Sequence, residues 1–379
     1  MMFLSRKRTN KYAALRLQLN KVGPIGMDIG INAIHLCQLQ WLEEKRYAVI
    51  AKASIHFEET RKEILASPKK FKKLLTQGMK NNGFTGKRIV TVMPANELKI
   101  MPVTYKGKSS DMEKEIIKVL SGRMAGNMND YIIDYMPVRS NSDDEENLAL
   151  VAIANREDVI NYLEVITQAG FDVDALDVGP AAIRRLICTL YAEDDIETVL
   201  VINTGQDKSF LTIISGRRLL FDQEVSFGEA LLLENLSKTL ELPGSVCREL
   251  LFRYGLEIDP EKPMQSDMDS DSEIPHTLLE VLKPAFIKLV DEIKRILTFT
   301  ASQTHGLPIS RFCLLGSVAR WPGAESLLRE LIDIPFSTHQ CELADSFVDL
   351  TVEEESWASN IPDLAVATGL ALRGLDDHE

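Results

Sequence analysis

The sequence has no CxxC pair. Its five cysteines, Cys37, Cys188, Cys247, Cys313 and Cys341, are scattered singly along 379 residues. That spacing supplies no metal-binding framework and suits a reducing compartment. No apolar run approaches the ~18 residues that a membrane-spanning helix needs. Arg6, Lys7, Arg8 and Lys11 are followed by no long apolar stretch, so no secretory signal is read and a cytoplasmic location is expected. Basic residues are in deficit. The formal net charge of −13 and pI of about 5.1 argue against a nucleic-acid partner. What remains is ordinary for a globular chain, 45% hydrophobic and 26% charged, with length for two or three domains.

After a lead-in over residues 1–22, Pro24–Leu39 (PIGMDIGINAIHLCQL) reads as strand, tight turn, strand. A Gly turn between two strands, rather than before a helix, argues against a dinucleotide fingerprint. It can still offer backbone N–H groups to a phosphate, with Asp28 placed to orient a magnesium-bound water. An ordinary hairpin turn explains the same residues. Arg46–Phe57 reads as a third strand. Ser67-Pro68 opens a helix with Phe71, Leu74, Leu75 and Met79 at helical spacing, ended by Asn81-Asn82-Gly83. Arg88–Met93 is again a strand.

A small α+β unit follows over 96–178. Leu98–Val103 is extended, 111–124 helical, Tyr131–Tyr135 a strand, 137–147 a polar connection, Leu148–Ala154 a strand, 156–169 helical and 171–178 extended. Glu113 and Glu115 lie on its first helix and read as surface charges. A return helix at 180–190, within 179–197, leads to lobe-sized material over 198–373.

There the opening pattern recurs. Glu197–Gly216 (ETVLVINTGQDKSFLTIISG) is strand, Gly turn, strand, with Arg217–Val225 as a third strand. Two related halves facing a cleft would explain the repetition. Helices follow over 228–240 and 242–254. The stretch 257–275 is an acidic surface insertion without the spacing or central Gly of a calcium loop. A long helix is expected over 277–304. Ile309–Ala324 (ISRFCLLGSVARWPGA) is a buried strand, a Gly turn and a helix start, a place for an anion or a nucleoside edge or a plain junction. Ile334-Pro335-Phe336 is extended, and 362–373 is a helix whose Ala365, Ala367, Gly369 and Ala371 allow close packing. His35 reads as a structural histidine and Trp321 as a packing anchor.

Three turns in this order resemble the type IV pilus assembly protein PilM family, cytoplasmic proteins of the actin-like ATPase superfamily, and more distantly the cell-division protein FtsA group. "GMDIGINAIHLCQL" looks like the first phosphate loop, "VLVINTGQDKSFLTII" the second, and "LLGSVARWPGA" the adenosine loop. "DMEKEI" with "NDYIIDYMPV" is similar to the small inserted domain, and "PDLAVATGLALR" to the closing helix. The resemblance implies an α/β fold of two lobes, actin-like and related to ribonuclease H, with a nucleotide cleft between them and a small inserted α+β domain. Lobe 1 would hold 22–95 with the return helix 179–197, and lobe 2 198–373. By position, Asp28, Gly30, Asn32 and Ala33 would lie at the first phosphate loop, and Asn203, Gly205, Gln206 and Lys208 at the second. Gly316, Ser317 and Val318 would approach adenine or ribose, and Gly228 and Glu229 would flank the sugar. ATP and Mg2+ are the implied cofactors, with Asp28 and Asn203 on the metal through water.

Two departures bear on that pocket. Asn203 stands where the family has an acid, and Leu315-Gly316 where it has two glycines. An amide supplies no negative charge, and Leu315 adds a side chain where a flat nucleotide edge needs room. With no general base in view, a binding scaffold is expected rather than an efficient ATPase. The resemblance implies a PilN-like inner-membrane partner, bound through its cytoplasmic N-terminal peptide in the region of Leu98–Val103, Tyr131–Tyr135 and Leu148–Ala154, and other pilus platform proteins. Self-association is left open. An adaptor of a mannose-sensitive pilus or a type II secretion platform, a filament-forming division protein, and an active actin-like ATPase or sugar kinase are the alternatives.

Overall fold

The computed structural model describes residues 22–42, 46–106, 111–124, 126–139, 146–191, 198–256, 270–301, 309–332, 347–349 and 361–376. The lead-in, most of the acidic insertion and the extended piece at Ile334 lie outside these.

The chain opens with β1 (Val22–Ile29), β2 (Ala33–Trp41) and β3 (Tyr47–His56), a meander in which β1 and β2 are mostly buried and β3 about half buried. A short helix α1 (Arg61–Leu65) follows, outside the elements expected from the sequence. Its start is a capping box: the Thr60 hydroxyl accepts from the Glu63 N–H at 3.3 Å and the Glu63 carboxylate accepts from the Thr60 N–H at 2.9 Å. Helix α2 (Pro68–Met79) has Ser67 as its cap and buries Phe71 and Leu75. Strand β4 (Arg88–Val92) then runs parallel to β1.

The inserted unit is β5 (Leu98–Lys106), α3 (Met112–Ser121), β6 (Tyr131–Arg139) and β7 (Glu146–Asn155). Its sheet has the order β5-β7-β6, and α3 covers one face through Ile116 and Leu120 against Val103, Tyr105 and Val151. It is smaller than the expected 96–178. Helix α4 (Arg156–Gln168) buries Val159, Tyr162 and Ile166 in the core under β1 and β2, and β8 (Asp172–Asp177) pairs with β4. Both belong to lobe 1, because β8 leaves the inserted sheet and pairs parallel with β4, and α4 packs in the lobe 1 core. β6 also runs on through Pro137 to Arg139, into what was expected to be the connection.

Helix α5 (Gly179–Leu190) leads to β9 (Thr198–Thr204), β10 (Ser209–Ser215) and β11 (Arg218–Val225). Helices α6 (Glu229–Leu240), α7 (Gly244–Tyr254) and α8 (Ser270–Ala301) follow. α8 begins seven residues before the expected Thr277 and carries Pro275 and Pro284 inside one helix. Strand β12 (Arg311–Gly316), helix α9 (Ala324–Ile332), strand β13 (Phe347–Asp349) and helix α10 (Ile361–Asp376) complete the order.

The two large sheets share a plan. One is β13-β3-β2-β1-β4-β8, the other β11-β10-β9-β12. In each, the first strand pairs antiparallel with the second and parallel with a later one. Between the sheets lie α5 and α10, whose Ile183, Leu186, Ala367 and Ala371 join Val201, Cys313 and Leu315 in one interlobe core. This is the two-lobed actin-like arrangement.

The range 198–373 expected for lobe 2 needs correction at its end. β13 pairs with β3, and α10 seats on β1, β2 and α5. The approach is close enough that a Cβ on Gly26 would stand 1.9 Å from the Ala367 carbonyl oxygen, so glycine is required there. Buried Asp177, at the end of β8, fixes the same seam by receiving Arg185 of α5 and Arg373 of α10, each at 3.1 Å.

Candidate functional site

The first turn joins β1 to β2 through Gly30–Asn32, closed by the Gly30 N–H donating to the Ala33 carbonyl at 2.8 Å. The second joins β9 to β10 by the same bond, Gly205 N–H to Lys208 carbonyl at 3.0 Å. The third follows β12. Gly316 has φ +85°, and a Cβ on it would stand 1.9 Å from the Thr204 carbonyl oxygen. The third turn is fastened to the second. Ser317 N–H donates to the Thr204 carbonyl at 2.9 Å, Val318 N–H to the Thr204 hydroxyl at 2.9 Å, and that hydroxyl to the Leu315 carbonyl at 2.8 Å. The first and second turns, 174 residues apart, meet through Asn32 Nδ2 donating to Gln206 Oε1 at 3.1 Å. All three therefore face one cleft of about 1730 Å³.

Asp28, Gly30, Asn32 and Ala33 line the cleft from lobe 1; Asn203, Gly205, Gln206 and Lys208 line it from lobe 2, with Glu229, Gly316 and Ser317. Gly228 and Val318 stand behind it. Val318 is buried in the lobe 2 core, and Gly228 lets the start of α6 press on the second turn, where a Cβ would meet the Gln206 carbonyl oxygen at 2.5 Å. The first N–H groups of α6 are already engaged, Glu229 with the Gly205 carbonyl at 3.0 Å and Ala230 with that of Gln206 at 2.8 Å. Leu315 is 1% exposed and packs in the interlobe core, so its side chain takes no room from the cleft. Trp321 is 2% exposed within the lobe 2 core.

Several cleft groups were not foreseen. Arg61 of α1 donates to the Ile29 carbonyl at 3.4 Å. His35 lines the cleft and shares a hydrogen bond with the Ser54 hydroxyl at 2.9 Å. Arg320 pairs with Asp363 at 2.7 Å and with Glu229 at 3.8 Å, while Arg248 holds the other Glu229 oxygen at 3.1 Å. Arg320 and Asp363 both occur in stretches singled out from the sequence, but their pairing is long-range and leaves no local signature. Burial pushes the Asp28 carboxyl up to about 6, with Arg61 pulling the other way. Burial also raises Asp363 to about 6 against the pull of Arg320, and Asp222 to about 7 against its hydrogen bond from Thr212. His35 is driven down to about 4 by burial and by the nearby His56 and Arg320.

Tested against a nucleotide, the two ends of the cleft differ. The phosphate-turn end offers Asp28 and Asn203, a donor set suited to a water-bound Mg2+. Among the described residues, no group of three or more His, Cys, Asp or Glu could hold a metal directly. Lys208 is paired with Glu224. At the other end Glu229 faces two guanidinium groups, Arg248 bonded to one oxygen at 3.1 Å and Arg320 standing 3.8 Å from the other.

The family described as "Type IV pilus assembly protein PilM" matches residues 26–375. Among solved structures, the "PilM-PilN type IV pilus biogenesis complex" is similar, with a TM-score of 0.71, 22% identity, and coverage of 94% of this chain and 99% of that one. The ethanolamine utilization protein EutJ from Carboxydothermus hydrogenoformans has a TM-score of 0.50, 12% identity, and coverage of 93% and 90%. With the family match spanning both lobes and the inserted unit, the chain belongs to the type IV pilus assembly protein PilM family.

Proposed function

We propose that this chain is an adaptor on the inner face of a pilus-type platform, binding the cytoplasmic N-terminal peptide of a PilN-like inner-membrane protein. The observation that carries this is the family match over residues 26–375. The similarity to a structure titled as a PilM-PilN complex supports the partner class. Among the described residues no helix is long and apolar enough to cross a membrane.

The inserted unit has the surface for it. β5 and β6 each pair with β7 alone among the described residues, so both are edges. Pro102 in β5 and Pro137 in β6 lack the N–H that strand addition uses, which favours a side-chain groove over a main-chain ladder. Ile100 and Pro102 of β5 face the cleft together with Phe210 and Phe221 of lobe 2, an apolar wall for aliphatic anchors. β7, which contains Leu148–Ala154, is paired on both sides and serves as support.

Calorimetric titration with the synthetic N-terminal peptide of the cognate membrane protein tests the proposal. The expected result is saturable binding that Ile100→Glu weakens roughly tenfold, about 1.4 kcal/mol, with the circular-dichroism spectrum still that of the folded chain. A wild-type protein that does not bind the peptide overturns the partner reading.

A further inference from the structure

Besides the packed helices between the sheets, the lobes are joined across the cleft by side chains at each end. At the phosphate turns the link is the Asn32–Gln206 amide pair, 3.1 Å long. At the other end it is a charged cluster centred on Arg320. This guanidinium is 22% exposed and pairs with Asp363 at 2.7 Å and Glu229 at 3.8 Å. Its Nε donates to the Ser317 carbonyl at 3.2 Å, and its Cζ lies over the Phe252 ring, 4.7 Å from the centroid. Glu229 is 4% exposed and also receives Arg248 at 3.1 Å. Asp363 stands in the first turn of α10, the helix seated on lobe 1. The Arg320–Asp363 pair therefore ties the third turn of lobe 2 to lobe 1.

We infer that these side chains form a permanent clasp that does the joining a bound nucleotide would otherwise do, so that the lobe orientation of this protein is set without ATP. Three features carry the inference. A ribose hydroxyl approaching Glu229 meets an almost buried carboxylate flanked by two guanidinium groups, Arg248 bonded to one oxygen at 3.1 Å and Arg320 standing 3.8 Å from the other, so it must share an acceptor already neutralised by charge. The planar guanidinium against Phe252 takes the flat apolar face that a purine would stack on. The amide pair closes the space between the two turns from which phosphates would be gripped. Arg320 is thus a positioning residue. The inference stands on the cleft alone, and its failure would leave the peptide-binding proposal untouched.

Hydrogen exchange and thermal unfolding of the full chain decide it, with Mg-ATP and Mg-ADP as the probes. In the wild type, millimolar Mg-ATP or Mg-ADP is expected to leave the melting temperature and exchange at both phosphate turns unchanged. Arg320→Met, which keeps most of the side-chain length, is expected to speed exchange in the second turn of α10 and at residues 316–323 by about tenfold, leaving β5–β7 unchanged. Asp363→Asn gives the same pattern more weakly and decides the matter if the Arg320 variant does not fold. Saturable stabilisation of the wild type by Mg-ATP, or clasp variants whose exchange at α10 matches the wild type, would overturn the inference.

Discussion

The two copies of the strand–turn–strand plan are built alike but finished differently. Their turns close by the same bond, at Gly30 and at Gly205. Each sheet also uses a buried threonine hydroxyl to tie the first strand to its parallel neighbour. In lobe 1 that threonine is on the neighbour: Thr91 donates to the Met27 carbonyl at 3.0 Å and shares a bond with Tyr162. In lobe 2 it is on the first strand itself, Thr204, which also accepts the Val318 N–H. The first copy therefore leaves its turn facing the cleft with a carboxylate, Asp28, behind it. The second copy is sealed from the side by the third turn and carries the uncharged Asn203 at the matching position. One plan, duplicated, yields a chemically polarised face and a structurally fixed one.

The most disruptive way to break the comparison is at the glycines where backbone meets backbone. Gly26→Ala in lobe 1 and Gly316→Ala in lobe 2 both force a Cβ to 1.9 Å from a carbonyl oxygen. Each is expected to lower stability in denaturant titration by more than about 3 kcal/mol, with Gly316→Ala the worse because its positive φ adds strain. Gly26→Ala should separate α10 from lobe 1, whereas Gly316→Ala should disturb the second and third turns and spare lobe 1. Equal effects on both lobes from either change would erase the distinction.

Smaller changes sharpen it. Thr204→Val leaves one buried N–H and one buried carbonyl without the hydroxyl and is expected to cost about 2–3 kcal/mol. Thr91→Val leaves Tyr162 with its bond to the Val92 carbonyl and is expected to cost about 1 kcal/mol, both read by denaturant unfolding. The smallest effect concerns the matching cross-strand pairs, Cys37 with Lys52 in lobe 1 and Thr212 with Asp222 in lobe 2. Folding raises the Asp222 pKa from 3.8 to about 7, so the folded chain holds this proton more tightly than the unfolded one. Wild-type stability from this group is therefore full below the lower value and declines as pH rises through the upper one. Asp222→Asn, which still accepts from Thr212, is expected to match the wild type in acid. Above neutral pH it should be more stable by roughly 1–2 kcal/mol, a figure reduced for the solvent that reaches the carboxyl from the cleft. A flat difference across pH would remove Asp222 from the account.

The duplicated plan was legible because alternating strands, Gly turns and a Pro-initiated helix are local signals. The ends of the inserted unit were not. Helix α4 and strand β8 read from sequence like any helix and strand, and only the parallel pairing of β8 with β4 assigns them to lobe 1. The small residues of α10 announced close packing without saying against what. At the cleft, the turn residues could be named in advance because glycine and asparagine mark turns wherever they lead. Arg320, Asp363 and Arg248 could not, since an ion pair across elements depends on register and helix rotation. Leu315 shows the reverse error: a bulky residue beside a turn was expected to crowd the cleft, and strand alternation turns it into the core.

The seating of α10 and β13 on the first sheet also bears on how the protein is made. The strands translated first cannot complete their sheet until residues 347–349 and 361–376 have been synthesised. Until then β3 lacks the β13 partner, and the back of β1 and β2 stays bare for most of translation. The second lobe contains its own sheet and helices in one contiguous stretch and is free to form first, leaving the amino-terminal half waiting on the carboxy-terminal one.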